Sequence, residues 1–177
     1  MRGKIIVIEG TDCSGKETQT SLLVQRLKRE GKKVERLRFP MYETPTGKIV
    51  GGPYLGKDYI TPCWFSEGAV NVDPKVAALY YAADRRYNLT TIENYLRDGY
   101  DLIIDRYVES NMAHQGCKII DKEERLKLYK WLETLEYNLL ELPKPDLTIL
   151  LHMPYKKVVE LKRGRIGTDE HESSLSY

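Results

Sequence analysis

Residues 8–20 read IEGTDCSGKETQT, and Gly10, Gly15 and Lys16 fall into the register G-x-x-x-x-G-K of a phosphate-binding loop. Such a loop aims successive backbone amides at phosphate oxygens, and the helix that follows adds the positive end of its dipole. On this pattern Gly10, Thr11, Asp12, Cys13, Ser14, Gly15 and Lys16 wrap the phosphates of a nucleotide, with Lys16 reaching the β- and γ-phosphates. The pattern then breaks. The residue after the lysine normally supplies a hydroxyl to Mg²⁺, but here it is Glu17, and a hydroxyl arrives only at Thr18. A carboxylate is also a hard oxygen ligand, able to hold the ion directly or through a water. It adds negative charge beside a triphosphate as well, which costs binding unless the metal is present. The preferred reading is a working nucleotide site with a stricter metal dependence rather than an inert one.

The elements around the loop are those it needs. KIIVIE, residues 4–9, is a short β-branched run ending in glycine, as expected of a strand buried on both faces. A helix is predicted over Thr18–Arg29, with Leu23 and Leu27 on one face and Gly31 at its end. Val34–Phe39 reads as a second strand stopped by Pro40, and residues 41–72 as loops with one short helix. Asp73-Pro74 opens a helix running through Ala77, Tyr81 and Arg85, with a restart near Thr90 and an end by Gly99. Asp101–Asp105 is a third buried strand with an acidic end. Asp121 opens a long helix with Leu128, Leu132, Leu135 and Leu139 along one stripe, closed by Pro143, and Asp146–His152 is a fourth strand. Strands alternating with helices predict an α/β fold: a central parallel sheet flanked by helices in three layers.

At 177 residues the chain reads as one domain with a real core, and its 41% hydrophobic and 31% charged content is ordinary for a soluble protein. The net charge of +2 gives no reason to expect a nucleic-acid partner. Cys13, Cys63 and Cys117 lack metal-ligand spacing and read as free thiols of a reducing compartment. No stretch approaches membrane-spanning length, and Glu9 interrupts the apolar run at the amino terminus too early for a signal peptide. A cytoplasmic location is expected.

Four further segments carry the chemistry: RFPMY (38–42), LYYAADRR (79–86), DRYVESNMAHQ (105–115) and LKRGRIGTDE (161–170). With the phosphate loop they resemble the thymidylate kinase family, P-loop enzymes that phosphorylate dTMP from ATP. The resemblance spans nearly the whole chain and implies a Mg²⁺-dependent transfer of the γ-phosphoryl group to dTMP, giving dTDP for dTTP synthesis. It implies that Asp12 holds the sugar 3′-hydroxyl, that Phe39 and Pro40 belong to the substrate site, and that Tyr42, close behind the Pro, touches the monophosphate. Tyr81 and Arg85, four apart and so on one helical face, would stack on the base and donate to a thymine carbonyl. Asp105 would place an acid near the reacting oxygen and, with Glu17, near the metal. Arg106 would grip the monophosphate, and Ser110 and Asn111 would face the base. The basic run at 161–171 resembles a lid, from which Arg163 or Arg165 would neutralise the transferring phosphoryl group. A homodimer through helices on one side of the sheet is also implied.

The chain departs from the family's pattern at three places. Glu17 is the first. His114 stands where the family tends to place Tyr or Phe against the sugar C2′ to exclude a ribose. The third is the end at Tyr177, inside what should be the post-lid helix, so the family's last strand and closing helix are expected to be absent. A kinase for another pyrimidine nucleotide or a deoxynucleoside is the near alternative; a nucleotide-binding protein without turnover is the distant one.

Overall fold

The computed structural model of the chain describes residues 2–163. Its centre is a four-stranded parallel sheet of β1 (Ile5–Gly10), β2 (Val34–Arg38), β3 (Asp101–Asp105) and β4 (Leu147–Leu151), in the order β2-β3-β1-β4. The registers pair Ile5 with Leu102, Ile6 with Leu147 and Val34 with Asp101. The central strands are apolar on both faces, and the period of two sends alternate residues into different layers. Ile5, Val7, Leu102 and Ile104 pack on one side with Leu89, Ile92 and Leu96 of α4 (Leu89–Arg97). Ile8 and Ile103 face the other side, against Leu23, Val24 and Leu27 of α1 (Lys16–Arg29). These are the expected three layers.

Most element boundaries follow local chemistry. Gly31 takes a left-handed φ of 74° just past α1, and its amide donates to the Lys28 carbonyl. The 41–72 segment contributes α2 (Pro45–Ile49), which runs directly into a wide π turn at Val50–Tyr54. Asp73 caps α3 (Pro74–Tyr87) by accepting from the amides of Lys75 and Val76. Residues 108–116, for which no helix is predicted above, form α5 (Val108–Gly116). After α6 (Lys122–Glu133), α7 (Tyr155–Arg163) follows β4. Among the described residues no helix is long and apolar enough to cross a membrane.

The predicted leucine stripe fails at its end. Leu128 and Leu132 are buried, but Leu139 is 70% exposed and Glu136 is fully buried in its place. The cause is a π turn at Thr134–Leu139, closed by the Leu140 amide on the Leu135 carbonyl. An i→i+5 turn rotates the inward face relative to an α-helix. It thereby delivers a carboxylate, not a leucine, to the space beside α3.

Candidate active site

The phosphate loop joins β1 to α1, as the sequence requires. Gly15 has φ of 84°, and a Cβ on Gly10 would lie 2.6 Å from the Leu151 carbonyl oxygen. Cys13 also adopts a left-handed φ, 61°, in the tight turn. The Lys16 ammonium donates to the carbonyls of Gly10 (2.8 Å) and Thr11 (2.7 Å). Burial, and next the Arg106 guanidinium, lower its pKa to about 8, partly opposed by Asp12, Asp105 and Glu9. The helix begins at Lys16, two residues earlier than predicted, which puts Glu17 in its first turn.

Beyond the carboxyl ends of β1 and β3 lies an open cleft of about 550 Å³. Ligands of parallel sheets gather at this end. Asp12 of the loop, Phe39, Pro40 and Tyr42 after β2, and Tyr81 and Arg85 of α3 all line it. So do Arg106 after β3 and Ser110, Asn111 and His114 of α5. Every residue assigned above to the acceptor therefore reaches one space. Leu55, Tyr107 and Gln115 line it too.

Buried carboxylates hold the walls. Glu9 accepts from the Tyr107 amide (2.8 Å), the Ser110 amide (3.1 Å) and the Ser110 hydroxyl (2.6 Å). It thus satisfies free amides at the start of α5, which has no side-chain cap of its own. The turn it anchors carries Arg106 at φ of 67°. Arg106 pairs with Asp12 and lies 3.2 Å from His114 Nε2. A guanidinium only donates, so this imidazole nitrogen accepts. Burial works against the charge on Arg106, but Asp12, Glu9 and Asp105 outweigh it and raise its pKa above the ordinary arginine value.

On α3, Asp84 accepts from the Met41 amide (2.9 Å) and the Thr46 hydroxyl (2.8 Å), fixing the Phe-Pro segment against the helix. Arg85 is 2% exposed and forked onto Glu136, with Nε 2.5 Å from Oε2 and Nη2 on Oε1. Its Nη1 makes only a 3.5 Å contact to the Tyr107 carbonyl. Asn111 donates through Nδ2 to the Ala78 carbonyl (3.2 Å) and to Glu136 (2.9 Å), which fixes its amide orientation. Its Oδ1 and both polar atoms of the Gln115 side chain are buried without a hydrogen-bond partner in the protein. In such positions an unmatched polar group is expensive unless a ligand meets it.

At the end of β3, Asp105 is 5% exposed, and its Oδ2 lies 3.5 Å from Arg36 Nη2. Its Oδ1 is buried and has no partner. Glu17 lies 3.9 Å from the same guanidinium nitrogen. The two carboxylates assigned to the metal thus share one neighbour. Among the described residues no group of three or more His, Cys, Asp or Glu forms a metal cage. Arg163 is the last residue of α7, and Arg165 lies outside the described residues, as does most of the 161–171 run.

Glu9, Arg36, Gln115 and Glu136 escaped the sequence reading. Glu9 resembled the polar end of a strand, and Arg36 any solvated strand residue. Gln115 carried a weak signal, being next to His114 in the same segment. Glu136 carried none, because a π turn leaves no mark in hydrophobic spacing.

The thymidylate kinase family model matches residues 8–175. Over 171 residues the chain is 31% identical to the thymidylate kinase of Schizosaccharomyces pombe, covering 97% of this chain and 70% of that protein. It is 33% identical over 172 residues to that of Homo sapiens, again covering 97% and 70%. A solved thymidylate kinase from Candida albicans superposes with a TM-score of 0.74 at 29% identity, covering 97% of this chain and 71% of that one. The chain belongs to the thymidylate kinase family and is a nucleoside monophosphate kinase.

Proposed function

We propose that the chain transfers the γ-phosphoryl group of ATP to dTMP, giving dTDP for dTTP synthesis. The carrying observation is Asp12. It belongs to the phosphate loop, yet it lines the acceptor cleft and pairs with Arg106. Donor grip and acceptor grip are thereby joined at one ion pair. In this reading Lys16 leaves the loop carbonyls for the β- and γ-phosphates, and Arg106 holds the acceptor monophosphate. Phosphoryl transfer asks mainly for positioning and charge stabilisation, and fixed cations on both phosphates supply them.

The cleft's polar groups match thymine. Arg85 Nη1 is a donor for the carbonyl at position 4, and Asn111 Oδ1 an acceptor for the N3 hydrogen. Gln115 adds an amide at the same base edge, and Tyr81 a stacking face. Cytosine presents an amino group and a bare nitrogen instead, so both contacts would set like against like. Asp105 and Glu17 would hold Mg²⁺; the unpartnered, buried Asp105 Oδ1 fits a hard cation. The ion, when bound, would neutralise charge on the β- and γ-phosphoryl oxygens. The assembly expected is a homodimer, supported by the exposed apolar side chains Val76, Leu79 and Tyr87 along α3.

An ADP-release assay with dTMP, dUMP, UMP and dCMP tests the reading. We expect dTMP and dUMP to lead and dCMP to trail by about ten- to hundredfold, the cost of a mismatched buried donor. Mg·ATP binding without ADP release for any acceptor would overturn it, as would dCMP as the best acceptor.

A further inference from the structure

Glu17 departs from the phosphate-loop pattern, and the structure pairs it with an arginine that no motif predicts. Arg36 lies in mid-β2, opposite Ile103. Its Nη1 donates to the Ser21 hydroxyl at 2.8 Å. Its Nη2 points between Asp105 Oδ2 at 3.5 Å and Glu17 Oε1 at 3.9 Å. Glu17 and Ser21 are four apart on α1, so one helical face presents both to the strand. The Arg36 side chain is 26% exposed, between a buried Asp105 and an exposed Glu17.

Charge makes the arrangement meaningful. A loop with a hydroxyl after its lysine brings one carboxylate, from the end of β3, to the metal position. Glu17 brings a second. Two carboxylates facing one spot repel each other and the triphosphate, and they form a trap for any divalent cation that arrives first. Arg36 returns the local charge to what the hydroxyl would give.

We propose that Arg36 is a positioning residue that cancels Glu17, holds it with Asp105, and keeps that carboxylate pair from capturing a free divalent cation before the nucleotide enters. Glu17 and Asp105 would then be available to a divalent cation only once the nucleotide is bound. This deepens the phosphate-loop reading and is independent of which acceptor is used.

The test is Mn²⁺ binding to the nucleotide-free protein, followed by the electron paramagnetic resonance of the unbound ion. Arg36→Leu should bind Mn²⁺ on the order of tenfold tighter than the parent, since ligand charge sets affinity at such sites. Arg36→Lys, which keeps a cation, should stay weak. Adding Glu17→Ser to Arg36→Leu should remove the gain. Equal affinity in Arg36→Leu and the parent overturns the proposal, and so does a gain that persists without Glu17. Glu17→Gln alone serves if the Arg36 variants do not fold. It should bind Mn²⁺ no more tightly than the parent, because Arg36 then faces Asp105 alone. Tighter binding there would show that Arg36 and Glu17 do not balance each other and would end the idea. No nucleotide is present, so this measurement can fail while the ADP-release assay succeeds, and the reverse.

Discussion

Glu136→Gln removes the charge opposite Arg85 while keeping the side chain's shape. In the native cleft two Arg85 nitrogens and Asn111 Nδ2 all donate to this carboxylate. Glutamine offers a single carbonyl oxygen to those three donors and turns an NH₂ toward a guanidinium that can only donate. Burial opposes the charge on Arg85, and Glu136 more than offsets it, with lesser help from Tyr107 and Asp84. The two side chains are 2% and 0% exposed, so solvent cannot replace the lost partner. Breaking such a pair from one side costs about 3–5 kcal/mol, a large part of the ~5–15 kcal/mol that holds a typical domain folded. For a chain of this length that is a fall in Tm of roughly 6–20 °C. Urea and thermal unfolding, followed by far-UV circular dichroism, measure it. The companion variant, Arg85→Met with Glu136→Met, deletes both charges and fills the space with apolar atoms. It should unfold later than Glu136→Gln, because an apolar replacement of a whole buried pair is often neutral or stabilising. It should also lose the preference for dTMP over dCMP. A Tm within about 2 °C of the parent for Glu136→Gln, or a double variant no more stable than the single one, would refute the reasoning.

Three other outcomes follow from the site. Lys16→Ala should lower the rate of ADP release by on the order of 10²–10³, the loss of one fixed stabiliser of developing charge; activity within a few-fold of the parent would remove the loop from the ATP site. Lys16 has a pKa of about 8 without nucleotide, and a triphosphate beside it must raise that value. Above pH 8, binding therefore takes up a proton, and the affinity for metal-free ATP should fall by up to about tenfold per pH unit. A flat titration from about pH 7.5 to 9.5 would contradict this. His114→Tyr should sharpen the preference for dUMP over UMP in the ADP-release assay, since a larger ring fills space beside the sugar; an unchanged ratio would place His114 away from C2′.

The framework was legible because it is written in short-range rules. A β-branched run, a glycine turn and Lys16 specify β1, the loop and α1 without reference to the rest of the chain. The cleft was legible through residues whose types have no cheap structural use, such as Arg106 after a buried strand. What stayed hidden depends on long-range partners. Glu9 meets Ser110, 101 residues away, at 2.6 Å, and nothing near Glu9 in the chain announces it. Glu136 becomes a cleft residue only because a π turn shifts the face of its helix, and Leu139 is exposed for the same reason. α5 was missed because polar groups that grip neighbouring elements occupy its inward face, which leaves little apolar period to read.

Glu9 and Gly10 are consecutive on β1, yet one anchors the turn bearing Arg106 and the other opens the loop bearing Lys16. Two neighbouring positions on one strand, one peptide unit or about 3.8 Å apart, therefore give the two segments a common base. If Lys16 and Arg106 hold the two phosphates as proposed, part of the cost of arranging the two grips is met when the chain folds rather than at each turnover.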